Sequence, residues 1–153
     1  RDISKIMSLR DGMQKMSKSD QSDYSRINLK DDKDTIIKKI KKAKTSDVLM
    51  PETEDEVKKI PEVNNLLNIF SGITKQPKKE VISVYKGQNF SMFKENLSHA
   101  LVETISPIRN EIRKLMDDKN HLDSIINEGS AKAFEKAKKT LDEAYDIVGF
   151  VRR

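Results

Sequence analysis

Two lysines three positions apart bracket a methionine and a serine in the stretch Gln14-Lys15-Met16-Ser17-Lys18-Ser19-Asp20. Each ammonium offers N–H donors and a full positive charge, and the Ser17 and Ser19 hydroxyls add smaller donors. Together they suit the oxygens of a nucleotide triphosphate. Cations held in place before reaction also stabilise the negative charge that builds on a leaving pyrophosphate. The plainer alternative is a solvated loop in a chain rich in lysine and serine, and these residue types alone leave both open. Other chemistries are poorly supported. His99 and His121 are the only histidines, with no carboxylate–His ligand spacing around them, so no metal site is expected. Nothing resembles a nucleophile elbow, which argues against a hydrolase. No Gly-rich phosphate cradle occurs. Phe90, Phe93, Phe134 and Tyr145 recur at helix-face spacing, and core packing suits them better than base stacking.

The elements around the lysine loop must hold it. Ile3, Ile6, Met7 and Leu9 before it could form the edge of a sheet, and Asp11-Gly12 is a turn signal that releases the chain into the loop. The polar composition of residues 10–28 predicts the loosest interior segment. Asp31-Asp32 then opens a helix with Ile36, Ile37, Ile40 and Ala43 on its apolar face. Lys38, Lys39, Lys41, Lys42 and Lys44 crowd its far end. Acid first and base last suits the helix dipole, and these lysines read as a solvated face, with contact to an RNA backbone as the sharper alternative. Residues 46–58 are acidic and turn-rich and read as a mobile connector. Pro61 suits the first position of a helix that buries Val63, Leu66, Leu67 and Phe70 and ends at Gly72. Pro77 opens a short helix that closes near Gly87. Phe93, Leu97, Leu101, Ile105, Ile108, Ile112 and Leu115 then mark a long amphipathic helix, with a kink expected just before Pro107. A short helix to Gly129 follows. A last one is capped by Ser130, with Ala133, Phe134, Ala137, Leu141, Ala144, Tyr145 and Val148 as its inner face. Helix following helix predicts a mainly α-helical bundle.

Bulk properties set limits. The 153 residues allow one domain with a real core, or part of a larger one. Thirty Lys+Arg against 25 Asp+Glu give a net charge of +5, which permits a polyanionic partner without requiring one. The absence of cysteine excludes a disulfide framework and a thiolate metal site. No apolar run approaches the ~20 residues that cross a bilayer, and no signal peptide is expected. A cytoplasmic protein without membrane contact is the expectation.

Lys15-Met16-Ser17-Lys18-Ser19 resembles the signature lysine loop of class I aminoacyl-tRNA synthetases. Lys5 to Leu9, Leu29 to Asp32, Ile36 to Ala43, Asn65 to Ser71, Phe93 to Leu97, Glu103 to Ile108 and Asn127 to Ala131 resemble the tryptophanyl-tRNA synthetases of the bacterial type. This similarity covers nearly the whole chain. The resemblance implies ATP-dependent activation of tryptophan, then transfer to tRNA(Trp). It assigns catalytic roles to Lys15 and Lys18 and ATP contacts to Ile6, Lys15, Met16, Ser17, Lys18 and Ser19. Mg2+ would arrive with the nucleotide rather than at a protein site. The family builds its ATP and tryptophan sites on a Rossmann-like α/β domain, whose strand–helix alternation this chain lacks. The chain starts at Arg1 and reads as a C-terminal portion, inactive alone. Residues 1–28 would then be the last strand and loop edge of the catalytic domain, and 29–153 the helical anticodon-binding domain. A homodimer is implied for the full-length enzyme. A stand-alone helical nucleic-acid-binding or interaction module, without catalysis, is the alternative.

Overall fold

The computed structural model describes residues 5–45, 47 and 49–151. They fold into six α-helices and one 3-10 turn, Asp23–Ser25: α1 Lys33–Lys42, α2 Glu54–Lys58, α3 Pro61–Thr74, α4 Lys78–Tyr85, α5 Phe90–Asp117 and α6 Lys119–Val148. Among the described residues there is no strand, only an isolated antiparallel bridge between Met7 and Lys15. The expected sheet edge is reduced to that bridge, and Ile3 lies outside the described residues. The chain divides into two compact units, residues 1–110 and 111–153.

In the first unit, local sequence chemistry accounts for the helix starts. The Asp32 carboxylate accepts the Thr35 N–H at 2.7 Å, ending the loop and starting α1. Pro61 sits in the first turn of α3, where its missing N–H costs nothing. Ile36 and Ile40 of α1, Val63, Leu66 and Leu67 of α3, Val81 and Ile82 of α4 and Phe93 and Leu97 of α5 pack into one buried core. Phe70, Tyr85 and Phe93 meet with ring centroids 5.3–6.3 Å apart, in tilted or edge-on pairs.

Several expectations need correction. The stretch 46–58 is largely anchored. Met50 and Val57 are buried, Met50 exchanges backbone hydrogen bonds with Gly87 and Gln88 (both 2.9 Å), and Thr53 caps α2. Ser46 and Val48 of that stretch lie outside the described residues. Helix α3 passes Gly72 and ends at Thr74, with Lys75 in the left-handed region at φ 59°. Helix α5 includes Pro107, as expected, but its buried face fades after Ile105: Ile108 is exposed and Ile112 and Leu115 are half-buried.

In the second unit, α6 is a single helix, without the break expected around Gly129 and Ser130. The Asp118 carboxylate accepts the His121 N–H at 3.0 Å and caps it at one end, and Gly149, at φ 71°, closes it at the other. None of its described residues is buried, so Phe134, Leu141 and Val148, expected on an inner face, are exposed. Tyr145 is half-buried beside Phe150, at a centroid distance of 5.9 Å.

Candidate nucleotide-binding site

The lysine loop leaves and rejoins the helical core at fixed points. Before it, the Met7 N–H donates to Asn65 Oδ1 and Asn65 Nδ2 donates to the Met7 carbonyl, both at 2.8 Å. Asn65 lies on α3 and is 2% exposed. Its amide therefore acts as the neighbouring strand that this segment lacks, satisfying a donor and an acceptor that burial would otherwise penalise. Across the loop, the Met16 N–H donates to the Ile6 carbonyl at 3.0 Å and the Ser8 N–H to the Gln14 carbonyl at 2.8 Å. Leu9 is buried, donates to the Ser25 carbonyl and accepts from the Lys44 N–H, both at 2.8 Å.

The turn at Gly12 is pressed against the start of α3. A Cβ there would lie 2.4 Å from the Glu62 nitrogen and 2.5 Å from the Pro61 carbonyl carbon, so only glycine fits. The Glu62 carboxylate holds Lys44 at 2.8 Å. The Lys44 hydrogen bond is the main reason that Glu62 titrates below its ordinary value. Its own N–H helps, as does that of Gly12 at a weaker level. Asp11 Oδ1 accepts the Met13 N–H at 2.9 Å and tightens the turn.

Beyond these ties the loop opens. Lys15 and Lys18 are exposed, and among the described residues neither ammonium has a carboxylate partner. Ser17 and Ser19 hydroxyls lie 3.0 Å apart, and Ser17 Oγ also accepts the Ser19 N–H at 3.3 Å, giving the loop tip a defined turn. Met16 is half-buried against the core, and Ile6, whose carbonyl accepts the Met16 N–H, is also half-buried. The structure thus brings all six sequence-assigned residues into one short hairpin-like segment, with apolar members inward and cationic members outward. The segment 10–28 is held at both ends by backbone hydrogen bonds, and its least tied part is centred on Ser17 to Ser19.

The return path holds the residues that sequence reasoning missed. Lys39, expected in a solvated face, is 2% exposed, with its Nζ 2.7 Å from both Asp23 Oδ2 and Asp31 Oδ2. Arg26 reaches Asp23 at 3.1 Å and donates to the Asp20 carbonyl at 3.0 Å. Asn28 joins the two carboxylates, donating to Asp23 at 3.0 Å and to Asp31 at 3.3 Å. The Lys39 and Asn28 hydrogen bonds hold the Asp23 carboxyl below its ordinary value. The only sequence signal for this cluster was the alternation of Asp and Lys around Asp31. The other lysines of α1 differ from Lys39. Lys38 and Lys41 are exposed, and Lys42 lies over the Tyr24 ring, 4.5 Å from its centroid.

A second concavity, of about 710 Å³, opens between the end of α1 and the start of α5. Lys41, Lys94 and His99 face it with Asp47, Glu95 and Asn89. Lys94 donates to the Ala43 carbonyl at 2.8 Å, and partial burial draws its pKa below the usual value. This mixture of donors and acceptors beside Phe90 can hold a polar ligand of nucleotide size. Among the described residues no group of three metal-ligating side chains forms, and no helix is long and apolar enough to cross a membrane.

The lysine loop, the Asn65 contact and the helices behind it all lie within a stretch that matches a known family. The chain belongs to that family: the model described as tRNA synthetases class I (W and Y) matches residues 3–106. Tryptophan–tRNA ligase of Rhizobium meliloti (strain 1021) is 47% identical over 148 residues, which are 97% of this chain and 42% of the relative. That of Rickettsia conorii is 45% identical over 147 residues, 96% of this chain and 44% of the relative. The chain therefore spans less than half the length of these relatives. Among solved structures, the tryptophanyl-tRNA synthetase of Mycoplasma pneumoniae superposes with a TM-score of 0.77 at 25% identity, covering 97% of this chain and 46% of that one. The Campylobacter jejuni enzyme complexed with ADP and tryptophan gives 0.70 at 20% identity, over 97% of this chain and 44% of that one, a likeness of fold. These relatives favour the synthetase reading over the stand-alone module.

Proposed function

We propose that this chain is the C-terminal part of a tryptophan–tRNA ligase, supplying the phosphate-binding lysine loop and the helices that meet tRNA(Trp). The observation that carries this reading is the pair of exposed ammoniums, Lys15 and Lys18, without a carboxylate partner among the described residues, on a loop fastened at both ends. Tryptophan would attack the α-phosphate of ATP, forming tryptophanyl-adenylate and releasing pyrophosphate, and the terminal hydroxyl of the tRNA would then take the aminoacyl group. Lys15 and Lys18 would meet the charge that moves onto the pyrophosphate. Ser17, Ser19 and the Met16 backbone would shape the loop around the nucleotide, with Ile6 beneath it. Mg2+ would come with the ATP. Residues 1–28 are proposed to serve the catalytic half, and 29–153 the tRNA. The exposed Lys38 and Lys41, with the cleft beside Lys94, are the surfaces suited to RNA. The tryptophan pocket would lie in the part of the relatives that this chain does not span, so the chain alone is proposed to be inactive. A cytoplasmic homodimer is proposed for the full-length enzyme, on the family resemblance alone.

The test is Lys18→Ala in the full-length enzyme, read as single-turnover adenylate formation at saturating ATP and tryptophan. Losing one donor aimed at transition-state charge costs about 3–4 kcal/mol, or about 10²–10³ in rate. Losing a solvated surface charge costs about 0–1 kcal/mol. The expected outcome is the larger fall, with only partial rescue by Lys18→Arg, whose planar fork presents its donors differently. A fall below about fivefold, roughly 1 kcal/mol, would return the loop to the solvated alternative.

A further inference from the structure

One buried cation in the first unit lies away from the phosphate-facing loop tip yet is connected to it without a break. Lys39 of α1 is 2% exposed, and a buried ammonium is tolerated only when paired. Its partners belong to the chain that returns from the lysine loop. Asp31 is itself largely shielded, at 10% exposure, whereas Asp23 is 54% exposed. Both oxygens lie 2.7 Å from Nζ. From Asp23 the connection passes to Arg26 at 3.1 Å, and from Arg26 to the Asp20 carbonyl at 3.0 Å. Asp20 directly follows Ser19, the last residue of the lysine loop. A second route runs from Asp31 through Asn28 to Arg26 Nε, with separations of 3.3 and 3.2 Å. The loop tip itself has few ties of its own, so its trailing end is set by this cluster.

We propose that Lys39 is a positioning residue for the lysine loop, fastening its trailing end to α1 through Asp23, Asp31 and Arg26 without touching a ligand. A helix with an exposed basic face is thereby linked to the phosphate-binding lysines. A displacement of α1 would pass to the trailing end of the loop through this cluster, alongside the Lys44–Leu9 tie at its leading end. This inference rests on the proposed role of Lys15 and Lys18.

Asp23→Asn is the mildest probe. It removes one partner of Lys39 at an exposed position and leaves the Lys39–Asp31 pair to hold the fold. Lys39→Met and Lys39→Arg complete the set. Two readouts on the purified 153-residue chain are amide exchange and affinity for inorganic tripolyphosphate. With Asp23→Asn, amides of residues 19–25 should exchange at least about tenfold faster while those of α3 and α5 keep their protection, because only local opening becomes easier. Tripolyphosphate affinity should fall several-fold with Asp23→Asn and Lys39→Met, and Lys39→Arg should restore most of it. Unchanged exchange at 19–25 would overturn the proposal. So would faster exchange with tripolyphosphate affinity intact, since the cluster would then be structural only. If Lys15→Ala and Lys18→Ala leave tripolyphosphate affinity at the unmodified value, the phosphate-binding reading fails. The tie between α1 and the loop is then judged by exchange alone.

Discussion

Asn65 is the residue on which the lysine loop's leading end depends. Its buried amide pairs with both backbone groups of Met7, and no other described group replaces it. Asn65→Ala leaves the half-buried N–H and C=O of Met7 without their partner, each at the low end of the about 1–3 kcal/mol that an unsatisfied buried group costs. Chemical denaturation should show a loss of about 1–2 kcal/mol at an unchanged denaturant slope. A loss below about 0.5 kcal/mol would mean that water replaces the amide. Asn65→Asp keeps the acceptor but removes the Nδ2 donor and buries a charge, so it should be no milder than Ala. Lys39 works on the trailing end by a different principle: charge pairing rather than amide complementarity.

Among the elements, α6 depends least on packing. It runs from Lys119 to Val148 with none of its described residues buried. Its support is local: the Asp118 cap, the Gly149 stop, and exposed pairs such as Lys138–Asp142 at 2.7 Å, each worth only about 0.3–0.5 kcal/mol. Gly129 lies inside it with open space around the Cβ direction. Gly129→Ala should therefore raise helix stability by about 0.5–1 kcal/mol, seen as greater far-UV helicity on heating and slower amide exchange near residues 125–133. Unchanged exchange there would mean that the glycine marks a real interruption. Helix α1 is the opposite case, since its buried face carries Ile36, Lys39 and Ile40 and the residues at its C-terminal end bond to Leu9 and Arg10.

For the first unit as a whole, acid is the informative perturbation. Asp23 and Asp32 are held below an ordinary value of 3.8, by Lys39 and by the Thr35 cap respectively, and Glu62 is held below 4.5, chiefly by Lys44. A carboxylate whose folded pKa is depressed stabilises the fold above its unfolded pKa. That contribution is lost as pH falls through the folded value. Thermal midpoints should therefore be flat from neutral pH down to about 5, then fall below about 4.5 as Glu62 and the aspartates take up protons. A midpoint that fell mainly between pH 7 and 6 would contradict this account, because none of these carboxylates takes up a proton there. Because Asp23 and Glu62 both hold the lysine loop, exchange at residues 12–25 should rise in the same acid range.

Sequence alone determined whatever depends on near neighbours along the chain. Lys15 to Ser19 carries its chemistry in five consecutive residues. Asp32 and Pro61 start helices by chemistry within one turn. Phe93, Leu97, Leu101 and Ile105 are buried as their spacing requires. Tertiary structure decided whatever depends on which distant residues meet. Lys39 has the same neighbours in sequence as the exposed Lys38, and only the approach of Asp23 and Asp31 to its side makes it a buried, paired cation. Asn65 is one polar residue on an apolar helix until Met7, 58 positions away, lies against it. Gly12 reads as an ordinary turn glycine, and only the approach of Pro61 and Glu62 makes a side chain there impossible. The same limit explains the stripe of α6. Periodicity shows that a helix has an apolar face, but burial needs an opposing surface, which no local pattern encodes.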